Sequence, residues 1–239
     1  MENKYIASVS FGKDSLAMLL RLIEEKKPLD EVIFYDTGME FEAIYKIRDK
    51  VKKLLEEKNI KFTELKPKNS FLYDMFEREV KSKNGTTHKG YSWCGGACRW
   101  GTSMKLQALD SYSKDNNIYV GIASDEKRRI EKQQNPRKLM PLVERNMTEI
   151  ECLEYCHSHG YYWVENGIEL YSILDRVSCW CCANKNLKEL KNYYLYLPQY
   201  WQKLKDIQNK TNRPFKNNKY SINDLEERFK TIDTIKIKD

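Results

Sequence analysis

The chain has 239 residues, 41% of them hydrophobic, which is enough for one α/β domain with an appendage or for two small domains. Its 42 basic against 35 acidic residues leave a net charge of +7, which favours polyanionic partners without naming one. No apolar run of about eighteen residues and no signal-peptide core appears, so the expectation is a soluble cytoplasmic protein with no membrane association.

The apolar run YIASV (5–9) is β-branched and short enough for a buried strand. Leu16, Leu19, Leu20 and Ile23 then recur at helical steps, so the polar turn 10–15 joins a strand to a helix. EVIFYD (31–36) reads as a second strand, and TGMEFEAIYKIRDKVKKLLEEKNI (37–60) as a long amphipathic helix. KFTEL (61–65) is a third strand and FLYDMFEREV (71–80) a short helix, after which residues 81–101 break the rhythm with glycines and polar residues. Further strands are expected at 117–122 and 138–142, and Thr148-x-x-Glu151 opens a helix that closes at Gly160. Strands alternating with helices predict an α/β fold: a doubly wound, mainly parallel sheet covered on both faces. Beyond Trp163 the pattern is mostly helical with no secure strand. The expected division is therefore an α/β domain over 1–163 and a helical C-terminal appendage over 164–239.

At the carboxyl end of a parallel strand, the 10–15 turn sits where ligands gather. Gly12 permits close backbone approach, Lys13 offers a point charge, and Ser10 and Ser15 offer hydroxyls. An ordinary surface turn with a helix cap is the alternative reading of the same residues. The segment is not a G-x-x-x-x-G-K-[ST] loop, because the first glycine and the spacing are missing.

SFGKDS (10–15) closely resembles the S-G-G-K-D-S pyrophosphate loop of the ATP pyrophosphatase (PP-loop) superfamily, with Phe11 at the first glycine position. YDTGMEF (35–41), GIASDEKRRI (121–130) and SCWCCANKNLKEL (178–190) are similar, in the same order, to stretches of the phosphoadenosine phosphosulfate (PAPS) reductase branch and its prophage-type relatives. The resemblance implies an adenine nucleotide alpha hydrolase-like fold that binds ATP with Mg²⁺. It assigns Ser10, Phe11, Gly12, Lys13 and Ser15 to the pyrophosphate, and Lys13, Asp14 and Ser15 to catalysis. Asp36, Thr37 and Gly38 would end the next strand beside the nucleotide, and Arg128 and Arg129 would approach phosphates or an acidic substrate. From the residues alone, Asp36 is a helix N-cap and the two arginines are a solvated helix face. Phe11 departs from the family pattern, since a Cβ disfavours positive φ.

Seven cysteines without an export signal point to metal ligands, catalytic thiols or core fillers rather than disulfides. Cys94-x-x-x-Cys98 and Cys179-x-x-Cys182 form a set of four thiolates suited to a tetrahedral zinc or an iron–sulfur (4Fe–4S) cluster, with about one centre per chain. A redox dithiol and buried structural cysteines are the other readings, and Cys181 lies between the second pair. Relatives in the superfamily carry cysteine-bound iron–sulfur clusters, which inclines the resemblance towards iron. Cys152 and Cys156, with His159 beyond them, read better as a packed helix face than as a metal stripe. His88 is read as a loop residue.

The tail from Asn192 to Ser221 interleaves aromatic residues with Lys203, Lys205, Lys210, Arg213, Lys216 and Lys219. That composition suits tRNA or DNA, but aromatics packed inward beneath solubilising lysines are the favoured reading.

Three functions compete. The first is ATP-dependent adenylation of a substrate with release of pyrophosphate, serving sulfur transfer to nucleic acid or a small acceptor, with a sulfur-donor protein as a possible partner. The second is direct reduction of a sulfonucleotide, which in relatives needs a C-terminal nucleophilic cysteine, and this chain has no cysteine after Cys182. The third is a non-catalytic nucleotide-binding module of a larger complex.

Overall fold

The structure, a computed structural model, describes residues 3–93, 98–216 and 219–231. In chain order it runs β1 (Tyr5–Ser8), α1 (Lys13–Glu24), β2 (Glu31–Tyr35), α2 (Glu42–Glu57), β3 (Lys61–Leu65), α3 (Phe71–Phe76), β4 (Glu79–Lys81) and β5 (Thr87–Lys89). Then follow α4 (Lys105–Tyr112), β6 (Asn117–Val120), α5 (Lys127–Glu131), β7 (Lys138–Leu139), α6 (Pro141–Glu144) and α7 (Glu149–Ser158). The chain ends in β8 (Val164–Glu165), β9 (Ile168–Glu169), α8 (Leu187–Tyr196), α9 (Pro198–Gln208) and α10 (Ile222–Thr231).

Two compact units share the chain. The first comprises Met1–Asp36, Glu40–Lys66 and Met104–Trp163, and the second Thr37–Met39, Pro67–Ser103 and Val164–Asp239. The second unit therefore draws in residues 37–39 and 67–103 as well as the segment beyond Trp163.

The first unit is built on a five-stranded parallel sheet in the order β3-β2-β1-β6-β7. All five residues of β2 are buried, as a strand covered on both faces requires. Ile33 and Tyr35 of this strand form part of the core with Ile6 and Leu109. The chain winds outward from β1 through β2 to β3 and then returns to place β6 on the other side of β1. Loops leaving the carboxyl ends of β1 and β6 thus diverge at the switch point, where open α/β sheets bind ligands. The α7 start matches expectation: Thr148 caps it and Glu151 reaches back to the Thr148 N–H, a complete capping box.

Several expectations need correction. The helix expected over 37–60 begins only at Glu42. Before it, the Met39 N–H donates to Thr37 Oγ1 at 3.2 Å, a side-chain turn that competes with helix. The helix over 71–80 stops at Phe76, because Glu79–Lys81 pairs antiparallel with Thr87–Lys89, placing His88 in a strand. The strand at 138–142 is cut short by Pro141, which starts α6 at its first helical position. Strand structure also exists beyond Trp163: β8 and β9 form a tight hairpin. Its turn residues Asn166 and Gly167 take φ of +50 and +79, the left-handed pair that a two-residue hairpin loop demands.

Beside its two hairpins, the second unit packs α8, α9 and α10 together. Tyr193, Tyr200 and Trp201 are buried there. Lys205 is paired with Glu226 at 2.8 Å, and Lys203 lies over the Tyr200 ring. The favoured reading of the tail agrees with this packing for Tyr193, Tyr200 and Trp201, while Tyr196 stays exposed.

Candidate functional site

The turn after β1 is held by its own side chains. Ser10 N–H donates to Ser15 Oγ at 3.1 Å, the two hydroxyls lie 3.1 Å apart, and the Ser15 hydroxyl donates to the Gly12 carbonyl at 3.1 Å. Gly12 is the N-cap of α1 and no side-chain hydrogen bond caps the helix, whose positive end faces the turn. Gly121, just after β6, presses against this turn: a Cβ there would lie 2.6 Å from Ser15 Cα and 2.7 Å from Ser15 N. No other residue lets the two diverging loops approach so closely.

Phe11 takes the left-handed conformation, φ +58, that the sequence expects its Cβ to resist. The ring is fully buried, edge-on to Phe34 at 5.0 Å and within 6.2 Å of Phe62, and the Trp163 indole N–H donates to the Phe11 carbonyl at 2.7 Å. Core packing therefore offsets the local cost, and the turn keeps a glycine-like shape.

Lys13 is buried, with its ammonium 2.7 Å from Asp14 Oδ1 and 2.6 Å from Glu149 Oε2. Burial alone pulls its pKa down, but the two carboxylates outweigh that and raise it. Burial pushes the Asp14 carboxyl up, Lys13 opposes this, and Glu149 and Glu126 add to it. Asp36 closes β2 and accepts the Tyr45 hydroxyl at 2.7 Å, while Phe41 caps α2, so Asp36 is not a helix cap. Burial and Asp36 together hold the Tyr45 phenol well above its ordinary range. Arg128 and Arg129 are exposed on α5, and Arg129 pairs with Glu126 at 2.6 Å. Ser10, Phe11, Gly12, Lys13, Asp14, Ser15, Asp36 and both arginines lie in the first unit, whereas Thr37 and Gly38 belong to the second. Sequence reasoning missed Glu149, Gly121 and Trp163, whose roles depend on contacts remote in sequence.

In the second unit a cavity of about 550 Å³ is lined by Cys98, Cys179, Cys181 and Cys182. The Sγ atoms of Cys179 and Cys98 lie 3.7 Å and 3.9 Å from the Cβ position of Gly101. Cys94 lies outside the described residues. Among the described residues no three His, Cys, Asp or Glu side chains converge in a metal-holding group, and the described cysteines form no disulfide. The donor chemistry still fits a thiolate-bound metal. Among the described residues the indole N–H groups of Trp93 and Trp100 in the cavity wall are buried without an acceptor, and sulfur acceptors suit such donors. Two lysines hold the cysteine loop: Lys185 Nζ donates to the Arg176 carbonyl at 2.8 Å and Lys216 Nζ to the Ala183 carbonyl at 2.9 Å. Burial lowers the pKa of both lysines, and Glu189 and Cys182 oppose this.

Cys152 and Cys156 form a buried face of α7 turned to α1, with Cys156 Sγ 3.4 Å from the Lys13 carbonyl. Burial pushes the Cys152 thiol up to about 12 and Cys156 higher still. His159 instead faces Glu24 at 2.7 Å. The packed-face reading of these residues agrees with that arrangement.

A parallel sheet whose first strand feeds a Ser/Gly/Lys turn at the switch point defines a PP-loop α/β protein. The chain belongs to the phosphoadenosine phosphosulfate reductase domain family, whose model matches residues 4–159. It is similar to the uncharacterized protein MJ0066 of Methanocaldococcus jannaschii, at 24% identity over 208 residues. That match covers 84% of this chain but 41% of the relative, so the chain spans about two fifths of that protein's length. Among solved structures it is similar to the U34-tRNA thiolase NcsA from Methanococcus maripaludis with its 4Fe–4S cluster. There the identity is 16%, the TM-score 0.47, and the coverage 98% of this chain and 74% of that one. Among the described residues no helix is long and apolar enough to cross a membrane.

Proposed function

We propose that this chain binds ATP in the 10–15 turn and adenylates an acceptor with release of pyrophosphate, in the service of sulfur transfer to nucleic acid or a small molecule. The observation that carries the reading is the buried Lys13 at the head of an uncapped α1, at the switch point of the sheet. When an acceptor oxygen attacks the α-phosphorus, negative charge grows on the departing pyrophosphate. First-turn amides of α1, the Ser10 hydroxyl and the Lys13 ammonium, once released from its carboxylates, would stabilise that charge, with Ser15 holding the turn's shape. Mg²⁺, bound with the triphosphate, supplies further neutralisation. Asp36, Thr37 and Gly38 would flank the nucleotide, and Arg128 and Arg129 would engage phosphates or the acidic acceptor.

Cys98, Cys179 and Cys182, with Cys94, would hold a 4Fe–4S cluster or zinc. Such a centre, when bound, supplies a soft metal that takes sulfur ligands. This chain's contribution is the rigid cysteine loop and the two lysines that fix it. A tRNA or DNA acceptor and a separate sulfur-donor protein complete the reading.

Pyrophosphate release from ATP, measured with and without tRNA or DNA, tests the proposal. Acceptor-stimulated release supports it. The family match favours a second reading, sulfonucleotide reduction, in which thiol-dependent sulfite release appears instead. ATP binding with neither product would make the chain a nucleotide-binding partner module.

A further inference from the structure

The phosphate turn does not by itself require Glu149. The carboxylate arrives from the first turn of α7, 136 residues away in sequence, and lies 2.6 Å from the Lys13 ammonium. Its position is set independently of that contact. The Glu149 N–H donates to Asp125 Oδ1 at 3.1 Å, the Thr148–Glu151 capping box fixes the helix start, and the Ser124 N–H donates to the Met147 carbonyl at 2.8 Å. An acid in the first turn of a helix is favoured by the helix dipole. The dipole does not explain why this one closes on a buried lysine of the neighbouring helix.

We propose that Glu149 is a gate on Lys13: it occupies the ammonium until a highly charged phosphate chain displaces it, and so sets which anions the turn accepts. The inference rests on the nucleotide reading above. The Lys13 side chain is only 9% exposed, so its ammonium exchanges one anionic partner for another rather than turning to water. Glu149 is 35% exposed and has room to swing into solvent, whereas Asp14, at 23%, follows Lys13 directly in the chain. A singly or doubly charged anion gains too little to evict the carboxylate, and a triphosphate or pyrophosphate gains enough. Glu149 is thus a positioning residue that acts through Lys13.

The test is calorimetric binding of ATP, inorganic pyrophosphate and inorganic phosphate to the full chain at fixed ionic strength. Wild type is compared with Glu149→Gln and Glu149→Ala, and Glu151→Ala serves as a control for loss of the α7 cap. Removing the competing charge is expected to tighten ATP and pyrophosphate by about tenfold and to bring inorganic phosphate into measurable range. Glu151→Ala is expected to lower the melting temperature without tightening any ligand. Tightening is a result that mere loosening of the fold does not give. Binding of ATP by wild type with equal or weaker binding by both Glu149 variants overturns the gate alone. Absence of ATP binding by every protein overturns the gate and the nucleotide reading together.

Discussion

Trp163 donates its indole N–H to the carbonyl of Phe11 at 2.7 Å, at the one turn residue that carries a left-handed φ of +58. Both side chains are fully buried, so the hydrogen bond and the ring packing act on the same peptide. Restoring glycine at position 11 relieves a backbone cost of about 1–2 kcal/mol. It also removes a buried aromatic worth about 3–5 kcal/mol. Phe11→Gly, although it recreates the family's loop, is therefore expected to lose about 2 kcal/mol or more in urea unfolding.

Trp163→Phe keeps much of the apolar volume but strands the Phe11 carbonyl. The expected cost is about 1–3 kcal/mol for the unsatisfied acceptor. Because that carbonyl belongs to the phosphate turn, ATP affinity should weaken along with stability. Calorimetric titration below the melting transition checks this, and unchanged affinity would show that the turn holds its shape without the indole.

Lys13→Gln retains a polar side chain of similar reach while deleting the charge. If the ammonium stabilises the departing pyrophosphate, turnover should fall about 10²-fold or more, the scale of losing one preorganised electrostatic partner. Pyrophosphate release under saturating ATP is the measurement. The variant also leaves Asp14 and Glu149 facing each other without their shared cation, so its stability at neutral pH should drop and partly recover under acid conditions.

The local parts of this site are legible in the sequence, because they are local. A buried β-branched run, a Ser/Gly/Lys turn and a helix stripe announce β1, the turn and α1 within twenty or so residues. The capping pattern at Thr148 announces α7 for the same reason. Asn166-Gly167 carries an equally local hairpin signal, but the strands it joins are two residues each, too short to show any period. Asn186-x-x-Glu189 is a second capping box that the residue types alone would have disclosed. What could not be read is remote pairing: Trp163 with Phe11, Glu149 with Lys13, and Gly121 with Ser15 meet only once the sheet is wound. The Phe11 ring shows the limit of single-residue rules, since its burial between Phe34 and Phe62 overrides the φ preference of a residue with a Cβ.

The cysteines divide by environment. Cys98, Cys179 and Cys182 line one cavity, whereas Cys152 sits fully buried against the first unit's core. Serine at any of the first three should cut bound iron or zinc in anaerobically purified protein to less than about half of one centre per chain. Serine at Cys152 should leave the metal content alone and lower stability by about 1–3 kcal/mol, the cost of a buried hydroxyl short of partners. Elemental analysis beside urea unfolding separates the two groups. Full metal content in all three cavity variants would remove the metal-site proposal.

Glu226 supplies a prediction for pH. It accepts hydrogen bonds from Lys205 at 3.0 Å and from the Trp201 indole at 2.8 Å, and Lys230 lies 3.2 Å away. The Lys205 hydrogen bond above all, with those of Trp201 and Lys230, holds its carboxyl at about 2, against an ordinary 4.5. A carboxyl whose pKa is depressed by folding stabilises the fold above its unfolded value, and that contribution fades as pH falls towards the folded one. Glu226→Gln should therefore cost about 1 kcal/mol at neutral pH, after allowance for solvent screening of a surface cluster. The gap between variant and wild type should narrow steadily below about pH 4.5 as the unfolded-state carboxyl protonates. Urea midpoints at neutral pH and at two acid values check this. A gap that stays constant with pH would mean that the glutamate contributes through packing against Trp201 rather than through its charge.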